Sequence, residues 1–269
     1  MEFYCCYIGV NKRYKVILLK IGFFDSGIGG ITVLSEALKM LPNEEYIYYA
    51  DSMNAPYGIK PKEVVKKYIY NVVEFLVSED IDVLVIACNT ATSIAVKELR
   101  KIYDIPIIGM EPAVKYAVEH DKDMRVLVTA TDLTLKEEKY QKLVERVDNE
   151  SRVDSLALPK LVEYAEDFIF EKEEVVPYLR KQLEPFDWSK YGSVVLGCTH
   201  FPYYKEYFRE ILPGHVEILD GNVGTIRHLK DILDKNNRSY GSGDRKMTFY
   251  YSGIKDEDNS ILKKYLNKL

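Results

Sequence analysis

Short apolar runs alternate with longer stretches of helical period along almost the whole chain. The runs at residues 18–24, 46–50, 83–87, 106–109, 125–129, 155–158, 193–197 and 216–219 are apolar at successive positions, which predicts strands covered on both faces. Between them, helices are expected to begin near Gly29, Pro61, Thr90, Glu111, Leu133, Leu161, Glu173, Pro202 and Val223. This alternation predicts an α/β fold of mostly parallel sheets flanked by helices. Residues 246–253 read as one more strand and 257–269 as a helix, both packing back on the first half. The polar stretch 234–245, with serines around Gly241, reads as an exposed loop.

One element occurs twice. Ile86-Ala87-Cys88-Asn89-Thr90 and Leu196-Gly197-Cys198-Thr199-His200 each follow an apolar run and precede a stretch that reads as helix. The repeat predicts two similar α/β domains. Residues 21–110 together with 222–269 would form the first and 111–221 the second, after an N-terminal extension at 1–20. In open parallel sheets, ligands bind beyond the carboxyl ends of the strands. Those ends carry Asp25-Ser26-Gly27, Asp51, Cys88-Asn89-Thr90, Thr129-Ala130-Thr131, Cys198-Thr199-His200 and Asp220-Gly221-Asn222.

Composition narrows the class. A chain of 269 residues with 47% hydrophobic and 29% charged residues is globular in type. Its net charge of −5 comes with no basic block, which argues against a nucleic-acid partner. No apolar stretch is long enough to span a bilayer. Four cysteines, two of them adjacent at Cys5 and Cys6, make no disulfide framework and point to a reducing, cytoplasmic compartment. Cys198 and His200 could offer two metal ligands, but no CxxC or HxxxH accompanies them, so no metal site is expected.

The chemistry centres on the two cysteines. A helix start stabilises negative charge, which should lower the pKa of Cys88, with Asn89 or Thr90 capping the helix. Cys198 has the same setting, with His200 close by to hold a proton near neutral pH. Two thiols on opposite sides of one substrate can take a proton from one face and return it to the other. Asp25 would attract a ligand ammonium or orient an acid–base group, and the glycines after it let backbone approach a ligand. Asp51 reads equally as a turn former or a functional carboxylate. Tyr57-Gly58 reads as a turn whose backbone could touch a ligand. Glu166, near Glu163 and Asp167, reads by spacing as part of a solvated helical face. The inventory suits a small amino acid whose α-proton is exchanged, and no cofactor motif stands beside it.

Five motifs in order carry a resemblance. Asp25-Ser26-Gly27-x-Gly29-Gly30, Tyr48-x-Ala50-Asp51, Pro56-Tyr57-Gly58, Ala87-Cys88-Asn89-Thr90-Ala91 and Leu196-Gly197-Cys198-Thr199-His200-Phe201-Pro202 together resemble glutamate racemases, members of the aspartate/glutamate racemase superfamily. The resemblance implies interconversion of L- and D-glutamate by two thiols without cofactor, in a site at the interface of two similar domains. It implies that Cys88 and Cys198 are the acid–base pair, assisted by Asp25 and His200. Asp51 matches a lesser family carboxylate, and Glu166 a family glutamate that follows a segment like Pro159-Lys160-Leu161-Val162. Ser26, Tyr57, Gly58, Asn89, Thr90, Thr199 and His200 match substrate contacts. A homodimer and a supply of D-glutamate for peptidoglycan are implied as well. The chain departs from the family pattern in having Glu137 for a serine, Leu158-Pro159 for Cys-Pro, Glu163 for a second proline, and Asp220-Gly221-Asn222 for Asp-Ser.

Two other readings remain open on sequence. The same chemistry could serve aspartate or another amino acid. A non-catalytic protein that binds small acids would bind glutamate without exchanging its α-proton, although binding alone needs no thiol pair.

Overall fold

The computed structural model of the chain describes residues 19–110, 113–120, 123–148, 150–235 and 245–269. Most of the 1–20 extension with Cys5 and Cys6, the helix start expected at Glu111 and most of the 234–245 loop lie outside the described residues. The elements run β1 (Lys20–Asp25), α1 (Ile31–Met40), β2 (Glu45–Ala50), α2 (Lys62–Ser78), β3 (Val83–Ile86), α3 (Asn89–Ile102), β4 (Ile107–Gly109) and α4 (Val114–His120). They continue with β5 (Arg125–Ala130), α5 (Asp132–Lys136), α6 (Glu138–Val147), β6 (Val153–Ala157), α7 (Pro159–Glu166), α8 (Lys172–Leu183), β7 (Tyr191–Leu196), α9 (Lys205–Ile211) and β8 (Glu217–Asp220). The last are α10 (Asn222–Lys235), β9 (Lys246–Tyr251), β10 (Ile254–Lys255) and α11 (Ser260–Leu266).

Two sheets result, with strand orders β10-β9-β2-β1-β3-β4 and β6-β5-β7-β8. Every pairing is parallel except β10 on β9. The repeat seen in the sequence is a repeat of topology: β2-β1-β3-β4 and β6-β5-β7-β8 are the same order. In each set the chain leaves the first strand to one side and then crosses to the other. The crevice of a parallel sheet opens where that reversal occurs. Here it lies between β1 and β3 in one sheet and between β5 and β7 in the other, and β3 and β7 are the strands that precede the cysteines.

The apolar runs are explained by two-sided burial. Ile21 and Phe23 of β1 face one core with Tyr46, Tyr48, Val83 and Val85. Phe24 faces a second core with Ile47, Leu84 and Ile86 against α2 and α3. The first core is continuous with Leu127, Val194 and Leu196 of the other sheet, so both halves share one apolar interior. The C-terminal strand β9 pairs in parallel with β2, and its Phe249 stacks on Tyr48 at 5.4 Å between ring centroids. The Tyr48 hydroxyl in turn donates to the Gly27 carbonyl at 2.9 Å, which ties the last strand to the loop after β1.

Phe249 is fully buried. Replacing it by alanine should therefore cost about 3 kcal/mol or more of folding free energy, read as a lower urea midpoint. A variant as stable as the parent would show that the C-terminal strand is a dispensable addition to the first sheet.

Candidate active site

The carboxyl ends of the two sheets face one another across a narrow cavity of about 10 Å³. Cys88 and Cys198 both line it, and both are buried. Cys88 is the N-cap of α3: its Sγ accepts from the Ala91 N–H at 3.4 Å, and its thiol donates to Ser26 Oγ at 3.4 Å. The cap expected of Asn89 or Thr90 is thus made by the sulfur itself, because Cys88 is still extended (φ −64°, ψ 119°) when the helix begins. Cys198 does not share this setting. A single 3₁₀ turn, Phe201–Tyr204, follows it before α9, and its Sγ lies 3.6 Å from His200 Nδ1.

Burial, not the helix start, governs Cys88. Desolvation and then the charge of Asp25 push its thiol up to about 12, against the opposing contacts of Ser26 and Ala91. The expectation of a lowered pKa fails on magnitude. Full burial shifts a group by up to several units, whereas a helix terminus contributes about 0.3–1 kcal/mol, less than one unit.

His200 is oppositely placed. Burial pulls its imidazole down, but the hydrogen bonds to Cys198 and Glu166 outweigh that and lift it well above 6.5. As an imidazolium both ring nitrogens donate, Nδ1 toward the Cys198 sulfur and Nε2 to Glu166 Oε1 at 2.6 Å. Glu166 also accepts from the Ile28 N–H at 2.9 Å and, through Oε2, from Ser52 Oγ at 2.8 Å. The solvated face read from helical spacing belongs to Glu163 and Asp167, which are exposed. Glu166 ends α7 and turns inward, with its side chain 14% exposed.

Asp25 is completely buried at the end of β1. It accepts from the Gly27 N–H and from Thr199 Oγ1, both at 3.0 Å. It makes no hydrogen bond to Cys88 and acts on that thiol through its charge alone. Desolvation raises its own pKa to about 6, with His200 as the largest opposing influence. Asp51 stands one layer further back. It accepts from the Tyr57 hydroxyl at 2.5 Å and from Asn54 Nδ2 at 3.0 Å, so it reaches the cavity only through Tyr57. Burial raises its pKa as well, against the bonds from Tyr57 and Asn54.

Ser26, Tyr57, Gly58, Asn89, Thr90, Thr199 and His200 all line the cavity, while Asp25, Asp51 and Glu166 support its wall from behind. Asn89 Oδ1 is a buried acceptor with no hydrogen-bond partner among the described residues. The sequence places Thr131 at a strand end but marks neither it nor Thr134 as a site residue, yet their hydroxyls bond Thr90 Oγ1 at 3.0 and 2.9 Å across the cavity wall. A signal for them existed. Ala130-Thr131 closes β5 as Asp25-Ser26 closes β1, and the two strands hold the same place in the repeated topology. Three glycines are demanded by the close approach of the halves: a Cβ on Gly58 would lie 2.4 Å from Thr131 Cβ. A Cβ on Gly27 would lie 1.7 Å from Glu166 Oε1, and one on Gly29 would lie 2.5 Å from His200 Nδ1. Among the described residues, no group of three His, Cys, Asp or Glu side chains could hold a metal ion.

Fold and site together define a two-domain parallel α/β protein with a thiol from each half in one shared cavity. Residues 31–229 match the profile of the Asp/Glu/Hydantoin racemase family. The chain is 56% identical over 252 residues to a glutamate racemase of Halothermothrix orenii, covering 93% of this chain and 99% of that protein. Its fold matches the crystal structure of glutamate racemase isoform RacE1 from Bacillus anthracis with a TM-score of 0.82 at 29% identity, over 93% of this chain and 94% of that one. It also matches glutamate racemase from Francisella tularensis, solved in complex with D-glutamate, with a TM-score of 0.80 at 28% identity, over 93% and 94% of the two chains. The chain belongs to the Asp/Glu/Hydantoin racemase family, whose racemases are isomerases.

The raised pKa of Asp25 has a stability consequence. Its carboxyl binds a proton more tightly folded than unfolded, so its contribution is present below pH 3.8 and is lost as pH rises through about 6. Asp25→Asn removes this titration. Relative to the parent, the variant should gain about 2 kcal/mol of stability between pH 4 and pH 8, measured by urea unfolding at both. A difference that does not change with pH would show that Asp25 is not held protonated by its burial.

Proposed function

We propose that this chain interconverts L- and D-glutamate by proton transfer at the α-carbon, with Cys88 and Cys198 as the two acid–base groups. The observation that carries the reading is that the two thiols line one cavity from different sheets. In one direction the Cys198 sulfur takes the α-proton, and the electron pair of the broken C–H bond stays on the α-carbon beside the carboxylate. The Cys88 thiol then gives its own proton to the opposite face. One C–H bond is broken and one is made, and the two sulfurs exchange protonation states. The reverse direction uses the same groups in the opposite roles.

The surroundings favour this division. Burial and Asp25 hold Cys88 in its protonated form. The imidazolium of His200, kept charged by Glu166, lies against Cys198. Asp51 fixes Tyr57. Ser26, Asn89, Thr90 and Thr199, with the Tyr57–Gly58 turn, supply hydroxyl, amide and backbone groups for the carboxylates and the ammonium of the substrate. The unpartnered Asn89 Oδ1 is an acceptor suited to that ammonium. A dry, preorganised site is what a carbanion requires when water would otherwise quench it.

Glutamate is preferred over aspartate on the names of the relatives at 56% and 53% identity, a glutamate racemase and a glutamate racemase 2. D-Glutamate made here would supply peptidoglycan, from a homodimer in the cytoplasm. No helix among the described residues is long and apolar enough to cross a membrane. Residues 21–110 with 222–269 and residues 111–221 are proposed as the two domains.

Incubation with L-glutamate in heavy water should yield D-glutamate carrying deuterium at the α-carbon, followed by circular dichroism and proton NMR. Cys88→Ser and Cys198→Ser should each lower kcat by about 10²-fold or more. Glutamate bound without isotope exchange would favour a binding protein instead. Faster turnover of aspartate in the same assay would move the assignment to that substrate.

A further inference from the structure

The end of α7 is held from an unexpected direction. Tyr265 lies on α11, far along the chain, and is buried. Its hydroxyl donates to the carbonyls of Ala165 and Glu166, at 3.1 and 3.0 Å. The last carbonyls of a helix lack intrahelical partners. The single Tyr265 hydroxyl hydrogen is shared between two of them, joining the Phe168 N–H that already bonds the Ala165 carbonyl, and so ties down the final turn. Glu166 is that turn's last residue, and its carboxylate is the partner of His200.

Two further observations converge on the same spot. Phe168, two residues on, has a left-handed backbone (φ 58°), which a bulky residue adopts only when its surroundings impose it. The Tyr265 ring packs edge-on against Phe168, with centroids 5.2 Å apart. The same ring contacts Tyr203 at 6.1 Å, whose hydroxyl points to the Ile28 carbonyl at 3.5 Å. The Ile28 N–H is itself a donor to Glu166. The C-terminal helix thus braces both the backbone that carries Glu166 and the loop that receives it.

We propose that Tyr265 is a positioning residue for the Cys198 half of the site, clamping the end of α7 so that Glu166 holds His200 against the Cys198 sulfur. The inference rests on the reading of Cys198 as an acid–base group. Tyr265 touches neither substrate nor thiol and acts through Glu166. Without the clamp the last turn of α7 can drift, the short Glu166–His200 contact lengthens, and the imidazolium loses part of its support. His200 is faced by Cys198 and Glu166 through hydrogen bonds and by Asp25 through charge. Of these only Glu166 is attached to the turn that Tyr265 holds.

Tyr265→Phe deletes the hydroxyl and keeps the ring. It should lower kcat about tenfold, by misplacing a supporting group, with KM within about twofold of the parent. The limb of the pH–rate profile governed by His200 should move to lower pH, because a less supported imidazolium gives up its proton more readily. The effect should also be non-additive. Tyr265→Phe added to Glu166→Gln should cost little beyond Glu166→Gln alone. A far-ultraviolet melt of each variant confirms that the fold is kept. Parental kinetics and an unmoved pH profile in Tyr265→Phe, or losses that add fully to those of Glu166→Gln, would overturn the clamp and leave the two-thiol reading standing. Full activity in Cys198→Ser would overturn the two-thiol reading and the clamp with it.

Discussion

Glu166 accepts hydrogen bonds from both halves of the molecule at once. The Ile28 N–H and the Ser52 hydroxyl come from the loops after β1 and β2, and His200 Nε2 comes from the loop after β7. A carboxylate so little exposed is costly unless it is hydrogen-bonded, and these three donors give both of its oxygens partners. The contact therefore needs both sheets in one relative position. It also needs Gly27, because any side chain there would occupy the space of the carboxylate oxygen. Asp25 and Thr199 bridge the same gap a few residues away. The polar seam between the halves and the support of His200 are one piece of structure.

That seam makes the two thiols unlike one another despite their matching places in the topology. Cys88 caps a helix and sees a buried carboxyl, a hydroxyl and little water. Cys198 sees an imidazolium. A reaction that takes a proton from one face and returns one to the other needs its two groups in different protonation states at any instant. Duplicated strand order with divergent neighbours gives the two sulfurs different surroundings within a single fold.

The C-terminal segment contributes through packing rather than through the cavity wall. β9 extends the first sheet beyond β2, Phe249 lies on Tyr48, and Tyr48 holds the Gly27 carbonyl. Tyr265 holds the end of α7. Both routes end at residues that touch Glu166, so the last strand and helix stabilise the same seam from two directions.

The sequence by itself determined the α/β class, the order of the elements and the duplication, because two-sided burial writes continuous apolar strands and those are visible in one dimension. It also marked Cys88, Cys198, Asp25, Ser26 and Asn89, since strand ends in parallel sheets are where polar residues collect. It misjudged the setting of Cys88, because helix position can be read locally while desolvation depends on what the rest of the chain covers. Only the tertiary structure decided that Glu166 turns inward, that Asp51 accepts from Tyr57, that Thr131 and Thr134 line the cavity, and that Tyr265 bonds the end of α7. Apart from the local Asp51–Tyr57 pair, six residues apart, each of these depends on a partner tens to more than a hundred residues away or on which face of an element meets the other half. Local periodicity carries no information about such meetings, because they are fixed by how the two sheets pack against one another.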